Sequence, residues 1–445
     1  MTTNGSRRVT PADIERIVPF EILIDRLAQD RESAWIDCRR TLHASPEPSG
    51  HEVATTRFIA ARLESLRYDD GPEIHVKVPD RGTGVIADLK IGEVDDSTRV
   101  IAIRADIDAL RMPDRKDVPY CSSREGLAHA CGHDVHTSVV LATAELLVNL
   151  TRRLTHSELP SIHIRFLFQP AEETCEGALW IIEDGGLQNV SAILGLHVDP
   201  TIRAGRVGIR YGVLTAQVDE VLITVTGRGG HAARPQHTTD PIAASAMLIS
   251  ILHQSVPRHA DALTPTVFTI GSIHGGTVSN VIPDRVDIAG TLRTTDADTR
   301  LRVMKMIRDA CDGVAQVTGS HVEVVFRSPL GSVINDTLVT SAFEASCRQV
   351  IGDHEIVPID KPSMGGEDFA MYVQHVRGAQ IRLGCAGDAD DWPLLHSPVF
   401  DIDEESIAIG VRVMTRTALL LAMIPRDPVS ESDALNDEAV DSFRA

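Results

Sequence analysis

The sequence predicts an α/β protein: a large domain on a mixed, mostly parallel sheet, interrupted by a small ferredoxin-like α+β insertion. Three observations carry the fold. Helix-period and strand-period segments alternate through the first half of the chain, as in a parallel sheet with crossover helices. From about Thr215 the pattern becomes β-α-β-β-α-β, the order of a small sandwich. From about Pro329 longer helix and strand patterns return, so the second pattern reads as an insertion into the first.

The elements follow in order. Residues 13 to 43 carry apolar positions at helical spacing, and another helix pattern runs from about His51 to Leu66. Gly84 to Leu89 and Arg99 to Ala105 read as strands, the second leading into Asp106 and Asp108. A helix is expected to begin near His133 and run through VVLATAELLVNL. IHIRFLFQP reads as a buried strand closed by a proline, and SAILGLHV as another. In the insertion, the strands AQVDEVLITVTG, TVFTIGSIHGG, RVDIAGTLRT and HVEVVFRS are joined by helices from Pro241 and Ala297. The expected boundaries are 11–214 with 329–425 for the large α/β domain and 215–328 for the insertion, with polar, disordered ends at 1–10 and 426–445.

Composition bounds the function. A chain of 445 residues with 43% hydrophobic content has material for two or three domains. Its 63 acidic against 43 basic residues give a formal charge of -20, which argues against a nucleic-acid or anionic-membrane partner, since both need a basic footprint. The N-terminus lacks the apolar core of a secretory signal. No stretch is expected to reach the roughly 18 to 20 apolar residues of a membrane span; the longest candidate, Ala418 to Pro425, is much shorter. Seven scattered cysteines do not form a disulfide framework, so a soluble cytoplasmic protein with reduced thiols is expected. One of those thiols is then free to bind metal.

The strongest local signal is HACGHDVHT, residues 129 to 137. Cys131 and His133 are two apart at a helix entry, where both can point to one side, and both suit zinc or a similar ion. Asp134 and His136 add polar groups to the same segment; a capping aspartate with histidines on a wet face is the bland alternative. Glu172 and Glu173 follow a buried strand directly. Adjacent carboxylates repel unless a cation or proton separates them, which suggests one on a metal and one free to move protons. His197 closes an apolar strand and His396 sits between apolar residues and a proline; alone, each would more often be a satisfied core or loop residue.

These segments carry a family resemblance. CGHD, QPAEE, GLHV, RGGHAARP, SNVIPD, GTLRT, MGGEDFA and LHSP stand in the order of the M20 metallopeptidase clan, over about Asp37 to Ala422. The chain resembles most the amidohydrolase branch that includes auxin-conjugate, hippurate and N-acyl-amino-acid hydrolases. The resemblance implies two divalent metal ions; the thiolate and imidazoles suit zinc and the carboxylate leaves room for manganese, with cobalt and nickel as further options. Cys131 would be the bridging ligand, where related peptidases use an aspartate. Glu173 and His396 would complete one site, His133 and His197 the other, with Glu172 as general base and acid. It implies too that the insertion dimerises and that His231 is an oxyanion or substrate-carboxylate contact, offered to the partner subunit's site. Asn280 and Arg293 would hold substrate, Arg293 through a free carboxylate.

Gly365 and Gly366 would let backbone approach the substrate, and Glu367 and Asp368 would buttress the site. Arg104 stands where related peptidases place a metal-binding histidine and cannot bind a cation, which leaves Asp106 and Asp108, with Asp134, to orient ligands. Val135 replaces a glycine usual in relatives and is expected to narrow the pocket or alter the turn. The leading expectation is hydrolysis of a small amide substrate, an N-acyl amino acid or related conjugate. The alternatives are a dipeptidase or carboxypeptidase on the same site, or a non-catalytic metal-binding scaffold.

Overall fold

A computed structural model describes residues 7–95, 97–154 and 161–425. Most of the expected terminal disorder therefore falls outside the described residues. Residues 7 to 10 depart from that expectation: the Val9 N–H donates to Ser341 Oγ, and Thr10 forms a capping box with Asp13 at the helix Pro11–Ile14.

The described chain forms two compact units. The first runs to Gly212 and resumes over Ile334–Asp360 and from Met371. Its strands, in chain order, are β1 (Glu73–Lys77), β2 (Val85–Ile91), β3 (Val100–Asp106), β4 (Ile162–Gln169), β5 (Val190–Arg203), β6 (Val207–Ile209), β7 (Ile356–Pro358) and β8 (Gly378–Ala386). They make one sheet in the order β1-β2-β4-β3-β5-β8-β6-β7. The pairs β4/β3, β3/β5, β5/β8 and β6/β7 are parallel, and β1/β2, β2/β4 and β8/β6 antiparallel. The mixed, mostly parallel sheet read from the alternation is thus present. Its central strands are mostly buried, as strands covered on both faces are, and every residue of β3 is buried.

The longer helices of this unit are α1 (Val18–His43), α2 (Val53–Glu64), α3 (His133–Thr151), α4 (Thr337–Ile351) and α5 (Glu405–Met423). α1, α3 and α5 pack on one another, and α3 and α5 also against the central strands. α5 corrects one sequence expectation. By length and composition its 19 residues pass for a membrane span, yet 83% of its apolar stretch is buried inside the protein. It is a core helix. Charged residues interrupt its apolar run in the sequence: Arg416 is buried and donates to Asp25 Oδ1 at 2.9 Å.

The second unit comprises Val213–Val333 with Lys361–Ala370. Its four-stranded sheet is antiparallel throughout, in the order Thr266–Gly275, Arg285–Thr294, Gln217–Thr226, His321–Leu330. Strand Arg285–Thr294 alternates buried and part-exposed residues, as a half-buried strand does. The helices Pro241–His259 and Ala297–Thr318 pack together, capped by the side chains of Asp240 and Asp296. Val221, Ile223, Leu248, Leu252, Ile288 and Ile307 belong to a core separate from that of the first unit.

Candidate metal centre

In open α/β sheets sites form outside the carboxyl ends of parallel strands. Asp106 ends β3, and Glu172 and Glu173 follow β4. His197 lies on β5, beyond Leu194, the last β5 residue paired with β3. His396 follows β8 in a loop.

The turn at Cys131–His133 depends on Gly132. Its φ of +84° favours glycine, and a Cβ there would stand 2.4 Å from Val198 Cγ2. α3 begins at His133, immediately after this turn. The elbow after β4 is equally constrained. Ala171 has φ +52° and Cys175 φ +59°, and a Cβ on Gly177 would stand 1.5 Å from the Pro170 carbonyl oxygen. His396 also has positive φ, +61°, and its N–H donates to the Ala130 carbonyl at 2.8 Å. Such backbone persists only where surrounding structure holds it.

These turns bring five of the predicted residues into two triads. Donor atoms of Cys131, His133 and His197 lie within 4.8 Å of one another, as do those of Cys131, Glu173 and His396. Cys131 belongs to both. Its Sγ is 3.6 Å from His197 Nε2, and Glu173 Oε1 is 3.7 Å from His396 Nε2. Glu172, itself buried, lies at the edge with Oε2 3.8 Å from His133 Nε2.

Hydrogen bonds aim the imidazoles. His197 Nδ1 donates to the Val198 carbonyl at 2.8 Å, leaving the Nε2 lone pair toward Cys131. His133 Nδ1 faces the Asp108 carbonyl at 3.0 Å and Asp108 Oδ1 at 3.1 Å, so it donates and Nε2 is directed into the cluster. His133 Nε2 and Glu173 Oε1 are buried without a hydrogen-bond partner among the described residues. Buried polar atoms left this way are costly unless something else satisfies them. Soft thiolate, imidazole and carboxylate donors around two such atoms fit bound cations well.

The electrostatics agree. Burial pulls His133 down, but Asp106 and Cys131 outweigh it and hold its pKa well above the ordinary imidazole value. Burial pushes the Cys131 thiol up and, with His136, keeps His197 well below its usual range. Asp106 is held far down despite burial by His133, His136 and Arg104. The negative charge around His133 favours a cation at that position.

The orienting residues divide the work. Asp108 supports His133 and also accepts the Glu173 N–H at 3.1 Å and Ser49 Oγ at 2.6 Å. Asp106 accepts from His136 Nδ1 at 2.6 Å and Arg104 at 2.6 Å, while His136 Nε2 accepts the Val198 N–H at 2.9 Å. His136 is therefore occupied on both nitrogens. Asp134 turns away from the cluster toward Arg39 and His43, at 2.8 and 2.7 Å. Val135 lies in the hydrophobic core, so it does not narrow a pocket as expected.

Sequence reasoning missed Arg39. Fully buried, it donates to Asp134, next to His133, and to Asp401, five residues beyond His396, both at 2.8 Å. One guanidinium thus ties the segments carrying both histidines. A signal existed: Arg39 shares the buried face of α1 with Trp35 and Leu42, where a charge needs partners. Glu52, fully buried with its pKa pushed up to about 7 by burial, was also missed.

His231, Asn280, Arg293, Gly365 and Gly366 belong to the second unit. A two-residue ladder pairs His231 with Val281, and the Ala232 N–H donates to the Asn280 carbonyl at 3.1 Å, so His231 and Asn280 are neighbours. Arg293 donates to the Met364 carbonyl at 2.8 Å, beside Gly365 and Gly366.

Comparison with known proteins fits this geometry. The N-acetylcysteine deacetylase of Bacillus subtilis is 39% identical over 387 residues, 87% of this chain and 96% of that protein. IAA-amino acid hydrolase ILR1-like 4 of Arabidopsis thaliana is 35% identical, over 88% of this chain and 87% of its own. The crystal structure of the Bacillus subtilis YXEP protein, described as a dinuclear metal binding peptidase from the M20 family, superposes with a TM-score of 0.75 at 35% identity, over 88% of this chain and 99% of that one. Residues 102–420, which hold all the candidate ligands, match the model of one family, and the chain belongs to it: peptidase family M20/M25/M40.

Proposed function

We propose that this protein is a metal-dependent amidohydrolase that cleaves N-acyl amino acids or related conjugates to a carboxylic acid and an amino acid. The observation that carries the reading is the pair of donor triads sharing Cys131, with Glu172 at their edge. Cys131, His133 and His197 would hold one divalent ion, and Cys131, Glu173 and His396 the other. Bound there, such ions supply Lewis acidity that polarises a carbonyl and acidifies water. Glu172 accepts the proton of the attacking water and returns it to the leaving nitrogen. Asp108 keeps the His133 lone pair directed inward, and Arg39 holds the segments around it. The donor set suits zinc or manganese, with cobalt and nickel as alternatives.

For His231, Asn280, Arg293, Gly365 and Gly366 the proposal is substrate contact, and it rests on family membership. Dimerisation through the second unit is proposed on the same ground. The seven free cysteines support a reducing, cytoplasmic setting. A peptidase reading stands second, favoured by the description of the YXEP structure. A panel of N-acyl amino acids and dipeptides with the metal-loaded enzyme separates the two; turnover confined to dipeptides would overturn the first. Glu172→Ala should keep its metal and lose about 100- to 10,000-fold in kcat. An unchanged rate would remove Glu172 from the proton-transfer role.

A further inference from the structure

Glu52 precedes α2, is fully buried and stands outside the ligand set. Its Oε1 accepts two backbone N–H groups, from Gly50 and from Ala171, each at 2.8 Å. Oε2 is buried and accepts nothing among the described residues. A carboxyl group so placed carries a desolvation cost. What it returns is the pair of bonds on one oxygen.

Ala171 is the more informative partner. Its left-handed φ of +52° is uncommon for a residue with a side chain. Its carbonyl is held from within the elbow by the N–H groups of Glu176 and Gly177, each at 3.2 Å. Among the described residues its N–H is held only from outside the elbow, by Glu52. Glu172 follows Ala171 directly, so the torsions of Ala171 set the direction of the Glu172 side chain. Glu173 has its own tether, since its N–H donates to Asp108 Oδ2 at 3.1 Å. Loss of the Glu52 contact therefore falls on Glu172 and spares the metal ligand.

We propose that Glu52 is a positioning residue for Glu172, holding the Ala171 N–H so that the elbow keeps the left-handed turn that aims the Glu172 carboxylate at the ligand cluster. The proposal rests on the reading of Glu172 as the base. The role needs an acceptor oxygen at one place, not a charge. Glutamine supplies that oxygen, aspartate falls one methylene short, and alanine supplies none.

Steady-state kinetics, metal content and pH–rate profiles of the metal-loaded full chain test it, on E52Q, E52D, E52A, E172A and E52A/E172A. E52A and E52D should lose about 10- to 100-fold in kcat, with KM moving less than about 3-fold and metal content unchanged. E52Q should stay within about 3-fold of the wild type and keep its pH profile. Adding E52A to E172A should change the residual rate by less than about 3-fold, because the group being aimed is already gone. Wild-type kcat in E52A and E52D, or an E52Q as impaired as E52A, would overturn the proposal. If E52A does not fold, E52D carries the same two outcomes. An inactive E172A beside a fully active E52D sinks only the role of Glu52. An active E172A sinks the base assignment and this proposal with it.

Discussion

Cys131 is the residue on which both triads converge, so its removal differs in kind from removal of any other ligand. His396→Ala takes a donor from one triad; Cys131→Ala takes one from each. Metal analysis after gel filtration should find about two ions per wild-type chain, about one in H396A and fewer than one in C131A, with kcat down at least about 100-fold in both variants. Two ions retained by C131A would exclude a bridging thiolate. Glu52 carries a pH consequence separate from its role in the elbow. Its folded pKa of about 7 lies above the ordinary carboxylate value of 4.5, because burial penalises the charge. The folded state therefore holds the proton more tightly than the unfolded chain. The stability this contributes is complete below about pH 4.5 and is lost as pH rises toward 7. E52Q cannot ionise, so its stability relative to the wild type should grow by about 2–3 kcal/mol between about pH 5 and 8. Urea denaturation at the two pH values measures this, and a constant difference would place the Glu52 pKa near its ordinary value.

Among the elements, the start of α3 shows best how backbone conformation builds the site. Gly132 combines φ +84° with the closeness of Val198 Cγ2. Gly132→Ala should cost about 2–5 kcal/mol, from left-handed strain and a clash in a packed site, and should weaken metal binding. V198A added to G132A removes the clash but not the strain, so the double variant should recover only part of the loss. Wild-type stability in G132A would show that the turn relaxes freely. The sequence made α3 and the strands β2 to β5 legible because their periodicity is local; Cys131 and His133 stand at the start of α3, Glu172 and Glu173 follow β4, and His197 lies within β5. His396 was another matter. It lies in a loop, and its position depends on the Ala130 carbonyl, a contact far away in sequence. Only motif order pointed to it. Arg39 and Glu52 were overlooked for the same reason: each acts through distant partners, with nothing local beyond a polar residue on a buried face to announce it.

At the scale of the whole molecule, the described residues form two hydrophobic cores with no residue in common. All six residues of the candidate centre, the five ligands and Glu172, belong to the first unit. That division has a thermodynamic consequence. A ligand that binds only the folded state stabilises what it binds by mass action, by about 4 kcal/mol at 1,000 times its dissociation constant. Unfolding of a multi-unit chain need not be two-state, so each core can melt separately. Calorimetry of the metal-loaded protein should therefore resolve two transitions. A chelator should lower the one belonging to the first unit by several degrees and leave the other in place. The two are assigned by substitution: L248A in the second core should lower only the metal-insensitive transition, and L146A in the first only the other. If a single transition moves as a whole on chelation, the two cores unfold as one cooperative block and metal binding stabilises the entire chain. If neither transition moves, the triads do not hold a cation in the folded protein, and the reading of the centre falls with it.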